Sequence, residues 1–228
     1  MKYSNIEKGI FIKRPNRFIA HVLMDGREEI VHVKNTGRCK EILKEGATVL
    51  LEKASNPNRK TRYSLIAAYK DRLLINIDSQ VPNDVIYNVL KEERLAGFNQ
   101  LLEVKKEITY KNSRFDLYFK GQRGEGFIEV KGVTLEEEGK AMFPDAPTER
   151  GRKHILEMIQ AVEEGYQGYI FFLIQFQGAK YFTPNEKTDP EFARALRLAK
   201  EKGVKVLAYD SLVTENSISL NKEIPVIL

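Results

Sequence analysis

The first 80 residues contain six short segments rich in Ile, Val, Leu, Tyr and Phe, separated by turn-forming residues. This spacing is typical of short β-strands joined by tight connections. The six predicted strands cover residues 9–13, 17–23, 28–33, 48–53, 62–69 and 72–77. One helix, 38–43, is predicted between the third strand and the fourth. About five strands with one helix after the third is the order of an OB-fold barrel, with other small barrels as the alternative.

The pattern changes at residue 81. Pro82 favours a helix start and Asn83 can cap it, after which apolar residues recur at helical spacing as far as Leu95. Further strands are predicted at 104–110, 114–119, 126–131, 169–176 and 204–209, a long loop through 142–145, and helices at 148–164 and 189–202. The almost wholly apolar segment 169–176 indicates a central strand that is covered on both faces. We therefore predict two domains, 1–80 and 81–228.

The charge is unevenly distributed. The chain has a net charge of +5, from 37 Lys and Arg against 32 Asp and Glu. Residues 1–80 carry 16 Lys and Arg against 9 Asp and Glu, a net of +7, whereas residues 81–228 carry 21 against 23, a net of −2. A basic half beside a mildly acidic half favours a polyanionic partner for the first half, the alternative being a solvated basic surface.

Other features of the composition exclude some classes of protein. No apolar run is long enough to cross a bilayer, and the polar start lacks the apolar stretch of a signal peptide, so a cytoplasmic protein without a membrane partner is expected. The single cysteine, Cys39, excludes an internal disulfide. The oligomeric state stays open.

Two predicted strands place carboxylates opposite each other. If 114–119 and 126–131 form an antiparallel hairpin about the bond between Gln122 and Arg123, the numbers of opposed residues sum to 245. Asp116 then faces Glu129, while the apolar Phe115 and Leu117 face Val130 and Ile128. Opposed side chains lie about 5 Å apart at Cβ, so two like charges repel unless something neutralises them.

A divalent cation would relieve that repulsion. Mg²⁺ typically takes one or two carboxylates plus waters and phosphate oxygens. Lys131 shares the face of Glu129 and could position a water molecule or stabilise the charge that develops on a phosphate. The pattern therefore predicts a metal site, although a charge ladder on a sheet surface has the same spacing.

The Asp…Glu-x-Lys pattern resembles that of the PD-(D/E)xK nuclease superfamily. More narrowly, three segments resemble the sugar fermentation stimulation protein A family, and together with residues 127–132 they span nearly the whole chain. The segments are 32–38 (His-Val-Lys-Asn-Thr-Gly-Arg), 113–116 (Ser-Arg-Phe-Asp) and 143–151 (Phe-Pro-Asp-Ala-Pro-Thr-Glu-Arg-Gly), the last running into Lys153 and His154.

This resemblance implies an N-terminal OB-like barrel and a C-terminal PD-(D/E)xK nuclease-like αβ sandwich with a mixed sheet. It implies binding of DNA with little sequence preference, a Mg²⁺ or Mn²⁺ cofactor, and a link to regulation of sugar use. Nuclease activity is implied by the superfamily, with Asp116, Glu129 and Lys131 as the catalytic set. The superfamily often has a further acid on the first helix of the domain. Glu92 and Glu93 fall in no clear motif there, and Glu107 matches a family position that could provide the third metal ligand.

Basic residues near predicted turns are candidates for phosphate contacts. In the barrel they flank a predicted helix start at 35–38 and form a dense loop at 58–62. Arg14, Arg17 and Phe18 could together give the charged and aromatic surface of an OB groove, although a Phe of this kind is more often core. Cations in the first turns of the helix 148–164 oppose its dipole, which favours an anion docking there. The candidates are Arg14, Arg17, Lys34, Asn35, Arg38, Arg59, Lys60, Arg62, Arg150, Lys153 and His154.

Three functions follow as alternatives. The first is a DNA-binding protein with a nuclease-type metal site. The second is a non-catalytic DNA-binding regulator with a vestigial site. The third is a protein that binds or processes RNA or another single-stranded nucleic acid, because OB-folds bind single strands of either kind.

Overall fold

The computed structural model describes residues 1–35, 37–56 and 58–228. The predicted helix start at 35–38 includes Thr36, which lies outside the described residues. Pro57, among the turn-forming residues between the fourth and fifth predicted strands, also lies outside them. Strands of the first part are β1 (Ile6–Lys13), β2 (Ile19–Met24), β3 (Arg27–Val33), β4 (Thr48–Lys53), β5 (Tyr63–Lys70) and β6 (Leu73–Asn76). The second part has the helices α1 (Val81–Lys91), α2 (Glu149–Glu163) and α3 (Pro190–Glu201). Its strands are β7 (Leu101–Tyr110), β8 (Ser113–Gly121), β9 (Gly124–Val133), β10 (Leu135–Glu137), β11 (Lys140–Phe143), β12 (Gln167–Ile174), β13 (Tyr181–Pro184), β14 (Lys205–Thr214) and β15 (Ser217–Glu223).

The first part is a closed OB barrel, as predicted. Its strands lie in the order β3-β2-β1-β4-β5-β6, and a parallel pairing of β3 with β5 joins His32 to Ser64 and Val33 to Leu65. This pairing closes five strands around an apolar interior, because alternate residues such as Val31, Val33 and Leu65 point inwards.

The prediction of a helix at 38–43 is wrong. Residues 40–42 form a turn in which the N–H groups of Ile42 and Leu43 donate to the carbonyl of Cys39 at 3.1 and 2.8 Å. Cys39 has a φ of +47°, and a left-handed residue interrupts the run of right-handed dihedrals that a helix requires. The expected helix N-terminus for phosphate is therefore missing among residues 37–43, which the structure describes.

The second part is a mixed sheet between helices. The strand order is β15-β14-β12-β9-β8-β7, in which β9, β12 and β14 are parallel and the outer strands are antiparallel. Helix α1 packs on one face, and α2 with α3 on the other. Strand β12 is buried from Gly168 to Ile174, which confirms the doubly covered position predicted for it.

Four short or terminal strands were not predicted. Strands β10 and β11 lie in the segment expected to be a loop, and with β13, which follows β12 in the chain, they form a separate three-stranded sheet. Strand β15 pairs with the edge of β14. Strand β10 has three residues, and β11 and β13 have four each, so each is too short to show a clear period in sequence.

The barrel packs directly against the second part. Asn76 at the end of β6 donates from its backbone N–H to the carbonyl of Gln175 at 2.9 Å, and Gln175 Nε2 donates back to Asn76 Oδ1 at 2.9 Å. These bonds hold the barrel at the carboxyl ends of β9 and β12. The division of the chain between residues 80 and 81 stays a prediction.

None of the helices within the described ranges is long and apolar enough to span a membrane.

Candidate metal site and nucleic-acid interface

The β8–β9 hairpin has the predicted register as far as Leu117, which pairs with Ile128. The ladder stops there, and the predicted pairing of Phe115 with Val130 is wrong. Phe115 packs against the ring of Phe127, with centroids 5.1 Å apart, on the face covered by α2, whereas Val130 lies in the cluster beneath α1. The two strands therefore separate at Asp116.

The neighbouring strand is irregular at the same level. Lys106 of β7 pairs with Leu117 and Ile108 pairs with Phe115, so Glu107 lies between those two pairs, opposite Asp116. Glu107 has a φ of +56°, and a left-handed residue inside a strand disturbs the alternation of faces, as in a β-bulge.

The carboxylate of Asp116 joins β8 to β9 beyond the point where their backbone hydrogen bonds end. Its Oδ2 accepts the N–H of Val130 at 2.8 Å, and its Oδ1 accepts from Asn83 Nδ2, also at 2.8 Å. Burial and the nearby charge of Glu129 raise the pKa of Asp116 to about 6, against the opposing effect of Lys131. The side chain is thus held in one orientation by two uncharged donors.

Glu129 lies deeper, with 2% of its surface exposed. Its Oε1 accepts from Lys131 Nζ at 2.5 Å and from Nδ1 of His154. Burial alone would raise the pKa of Glu129, but the charge of Lys131 and the bond from His154 outweigh it and lower that pKa below its ordinary value. Its Oε2 is buried without a hydrogen-bond partner among residues 1–35, 37–56 and 58–228.

Helix α2 delivers His154 to this site. The helix is capped by Thr148, whose Oγ1 accepts the N–H of Gly151 at 3.0 Å. His154 was predicted, with Arg150 and Lys153, as a phosphate contact in the first turns of α2. The structure buries His154, which is 6% exposed, and its ring stands edge-on to Phe115 while bonding Glu129. Its role as a phosphate contact stays a prediction.

The proposed third acid is not at the site. The side chain of Glu107 is 60% exposed and pairs with Arg114 at 3.4 Å. Of the alternatives on the first helix, Glu92 pairs with Arg94 and Glu93 accepts the N–H of Leu101. Within the part of the chain that the structure describes, no group of three or more His, Cys, Asp and Glu side chains could hold a metal ion. The site therefore offers two carboxylates, which is the protein share that Mg²⁺ commonly uses.

Three of the barrel candidates are occupied by protein contacts. The guanidinium of Arg14 donates to the carbonyls of Arg17, Asn35, Gly37 and Arg38 at 2.6 to 2.9 Å, so it holds the loops together. Lys34 pairs with Asp78 at 3.2 Å and with Glu52 at 3.5 Å. The amide of Asn35 donates to the carbonyl of Ile77 at 2.8 Å.

Four of the other barrel candidates lie in the two loops with which OB-folds bind oligonucleotides, and Arg38 lies outside them. Arg17 is exposed in the β1–β2 loop, next to Phe18, which is 55% exposed and not core as predicted. Lys60 and Arg62 are exposed in the β4–β5 loop, where the half-buried Arg59 donates to Ser64 Oγ at 3.2 Å. Arg38 is exposed after β3.

Exposed cations also lie on and beside helix α2. Arg114, Arg150 and Lys153 line a cleft of about 580 Å³ together with His154. Lys153 Nζ donates to the carbonyl of Asn112 at 3.0 Å. The cleft lies on the side of β8 from which α2 reaches Glu129.

Comparison with known proteins decides the family. The family model described as "Sugar fermentation stimulation protein RE domain" matches residues 80–217, and the model "SfsA N-terminal OB domain" matches residues 12–77. The chain belongs to the sugar fermentation stimulation protein family. The resemblance seen in the sequence is thereby confirmed.

Relatives match over the full length. A sugar fermentation stimulation protein homolog of Alkaliphilus oremlandii is 53% identical over 231 residues, covering 99% of this chain and 98% of the relative. One from Clostridium botulinum (strain Loch Maree) is 55% identical over 223 residues, covering 97% of each. The structure of Pyrococcus furiosus SfsA in complex with Ca²⁺ is 29% identical, with a TM-score of 0.92, and the match covers 100% of this chain and 98% of that one.

Sequence reasoning missed Asn83. It was assigned as the cap of α1, but the helix begins at Val81 with Gln80 in the cap position, and Gln80 makes no side-chain cap bond. A polar residue between the buried Pro82 and Val85 was the one available signal, and the same pattern occurs at any helix start.

Proposed function

We propose that this protein binds DNA with low sequence specificity, holds Mg²⁺ or Mn²⁺ between Asp116 and Glu129, and hydrolyses phosphodiesters there. One observation carries the proposal. Glu129 is buried, its Oε1 is held by Lys131 and His154, and its Oε2 has no donor among the described residues. A buried carboxylate oxygen without a partner is costly, and a cation beside Asp116 would offset that cost.

A solved relative supports a divalent metal in this family. The Pyrococcus furiosus protein was crystallised with Ca²⁺ and shares the fold along the whole chain. Ca²⁺, Mg²⁺ and Mn²⁺ are all hard ions that take oxygen ligands. Two carboxylates, with water and phosphate oxygens completing the shell, suit Mg²⁺ or Mn²⁺.

Each side chain of the site has a role in this proposal. A divalent cation bound there would polarise a phosphodiester and lower the pKa of a water molecule. Asn83 and the N–H of Val130 orient Asp116, and His154 holds Glu129 so that Oε2 stays available. Lys131, whose side chain is 15% exposed, lies where it can stabilise charge developing on a phosphate.

The surrounding charges support a nucleic-acid substrate. Arg150, Lys153 and Arg114 border the site on the α2 side, and the exposed cations of the barrel loops lie on the other part of the molecule. Cations distributed in this way contact phosphates without reading bases, which is consistent with low sequence preference.

The test is cleavage of end-labelled single-stranded DNA, duplex DNA and RNA with Mg²⁺, Mn²⁺ or chelator. The wild type should cleave at least one substrate in a metal-dependent manner, and Asp116→Asn should not. If the wild type binds no divalent ion at millimolar concentration, the nuclease proposal fails. A non-catalytic DNA-binding regulator then takes its place.

A further inference from the structure

A cleft between the barrel and the second part is not used by the proposed chemistry. It has a volume of about 380 Å³ and receives residues from both sides. The barrel contributes Asn35 and Gly37, and the second part contributes Gly132 of β9 and Thr134 directly after that strand. Because Gly132 directly follows Lys131, the cleft opens beside the metal-site strand.

A second pocket adjoins the cleft. It has a volume of about 370 Å³, lies on the barrel, and shares Arg17 and Gly37 with the cleft as lining residues. Arg38 and Lys40 also line it, and both are exposed. The two pockets form one track, from a basic end on the barrel to the cleft beside β9.

The charges along the track differ between its two ends. The barrel end is basic, whereas the described lining of the cleft holds one carboxylate, Asp145, and one cation, Arg17. Asp145 Oδ2 accepts the backbone N–H of Arg38 at 3.0 Å, and its carboxylate has capacity for further donors. The walls combine the apolar side chains of Leu135 and Met142 with the polar side chains of Thr134, Thr148 and Gln175. A carboxylate that is the only acid of the described lining disfavours a phosphate, and apolar side chains beside hydroxyl and amide groups suit the face and polar edge of a base.

We infer that the cleft binds one unpaired base of a single-stranded nucleic acid, whose backbone runs over Arg17 and Arg38. The volume is that of a small-ligand pocket. A base inside a duplex could enter only after extrusion from the stack, which costs a few kcal/mol, whereas a single strand does not incur this cost. The inference rests on the proposed function and names single strands as its substrate class.

The experiment measures fluorescence anisotropy in chelator, with a labelled eight-nucleotide single strand and a duplex of the same sequence. Ala146→Trp fills the cleft, since Ala146 lines it. Ala96→Trp is the matched control, because Ala96 is exposed and lines a separate pocket of the second part. We expect the wild type to prefer the single strand. Ala146→Trp should weaken that binding about tenfold, equivalent to about 1.4 kcal/mol, and leave duplex binding within about twofold.

A charge variant keeps the test valid if Ala146→Trp fails to fold, which circular dichroism would reveal. Arg38→Ala should weaken single-strand binding more than Arg27→Ala, an exposed arginine at the start of β3. Equal single-strand affinity in Arg38→Ala and Arg27→Ala, or equal affinity in the two folded tryptophan variants, would overturn the inference. So would a wild-type preference for duplex. Because this assay is run in chelator, it does not depend on metal binding. A lack of Mn²⁺ binding in a separate titration would contradict the proposed metal site, whereas the anisotropy results above would contradict base binding in the cleft.

Discussion

Asn83 on α1 donates a hydrogen bond to Oδ1 of Asp116 at 2.8 Å, at the point where β8 separates from β9. The N–H of Val130 donates to the other oxygen, so both oxygens of this carboxylate are oriented by neutral groups. The contact connects the first helix of the second part to the proposed metal site through an amide. An amide there orients the carboxylate without adding to the negative charge of the site.

Asn83→Ala should therefore weaken divalent metal binding. Removing an outer-shell partner of a ligand typically reduces metal affinity by about 10- to 100-fold. Calorimetric titration with Mn²⁺ would measure the change. Asn88→Ala, on the exposed side of the same helix, is the control and should leave affinity unchanged. Equal affinities of the two variants would exclude the orienting role.

Metal affinity should depend on pH through Asp116. Protons compete with the metal for this carboxylate, and burial with the Glu129 charge raises the pKa of Asp116 to about 6. The pKa of Glu129 lies below its ordinary value, so Glu129 remains ionised in this range. Mn²⁺ affinity should be constant above about pH 7 and fall as pH drops through 6. For an ordinary Asp, the fall would begin near pH 4. Titrations at pH 5, 6, 7 and 8 would distinguish the two cases.

Asp116→Asn should abolish metal binding and cleavage while nucleic-acid binding persists, because the change removes a negative charge that repels phosphate. The metal-free stability gives a second measurement. Since the folded pKa of Asp116 lies above the unfolded one, the folded wild type binds the proton more tightly. Its stability therefore falls as pH rises from about 4 to about 6 and then levels off.

The variant lacks that titration. In chelator, the thermal midpoint of Asp116→Asn relative to the wild type should rise between pH 4 and pH 7, and should be level with the wild type or higher at neutral pH. A difference that is constant across this range would contradict the raised pKa, whatever its absolute size.

Lys131→Ala should separate binding from rate. In the proposed site the two carboxylates hold the metal, so Mn²⁺ should still bind. Losing the lysine proposed to stabilise charge on the phosphate should lower the cleavage rate by about 10²- to 10³-fold. Lys120→Ala, an exposed lysine on β8, should cleave at the wild-type rate. Cleavage by Lys131→Ala at an undiminished rate would remove this residue from the catalytic set.

The β4–β5 loop should contribute to affinity without sequence preference. The triple variant Arg59→Ala, Lys60→Ala, Arg62→Ala should bind all sequences more weakly and show a flatter dependence of affinity on salt. Because Arg59 is engaged with Ser64, we expect about two phosphate contacts to be lost and the slope to change by about 2.

The control for this loop is a triple variant of exposed cations on and just after α3, with Ala in place of Arg194, Lys200 and Lys202. It removes the same net charge at a different place. If both triple variants bind alike in low salt, the loop lies outside the interface.

The sequence alone determined the elements whose side chains repeat with a regular period. The closed barrel, the central strand β12, helices α2 and α3, and the pairing of Leu117 with Ile128 follow from which residues are apolar and at what spacing. Any segment of sufficient length that is buried on one face or on both shows a regular spacing of apolar residues. The same pattern brought Asp116 and Glu129 onto adjacent strands.

Only the tertiary structure decided where the strand pairing ends and which side chains of distant elements meet at the site. Spacing along one strand does not show that the ladder between β8 and β9 ends at Leu117, or that Glu107 on the next strand adopts a left-handed backbone. It also does not show that α2 turns His154 inward to Glu129, or that α1 aims Asn83 at Asp116. These contacts join residues at least 25 positions apart in the chain, and no local periodicity records which distant element packs on a given face.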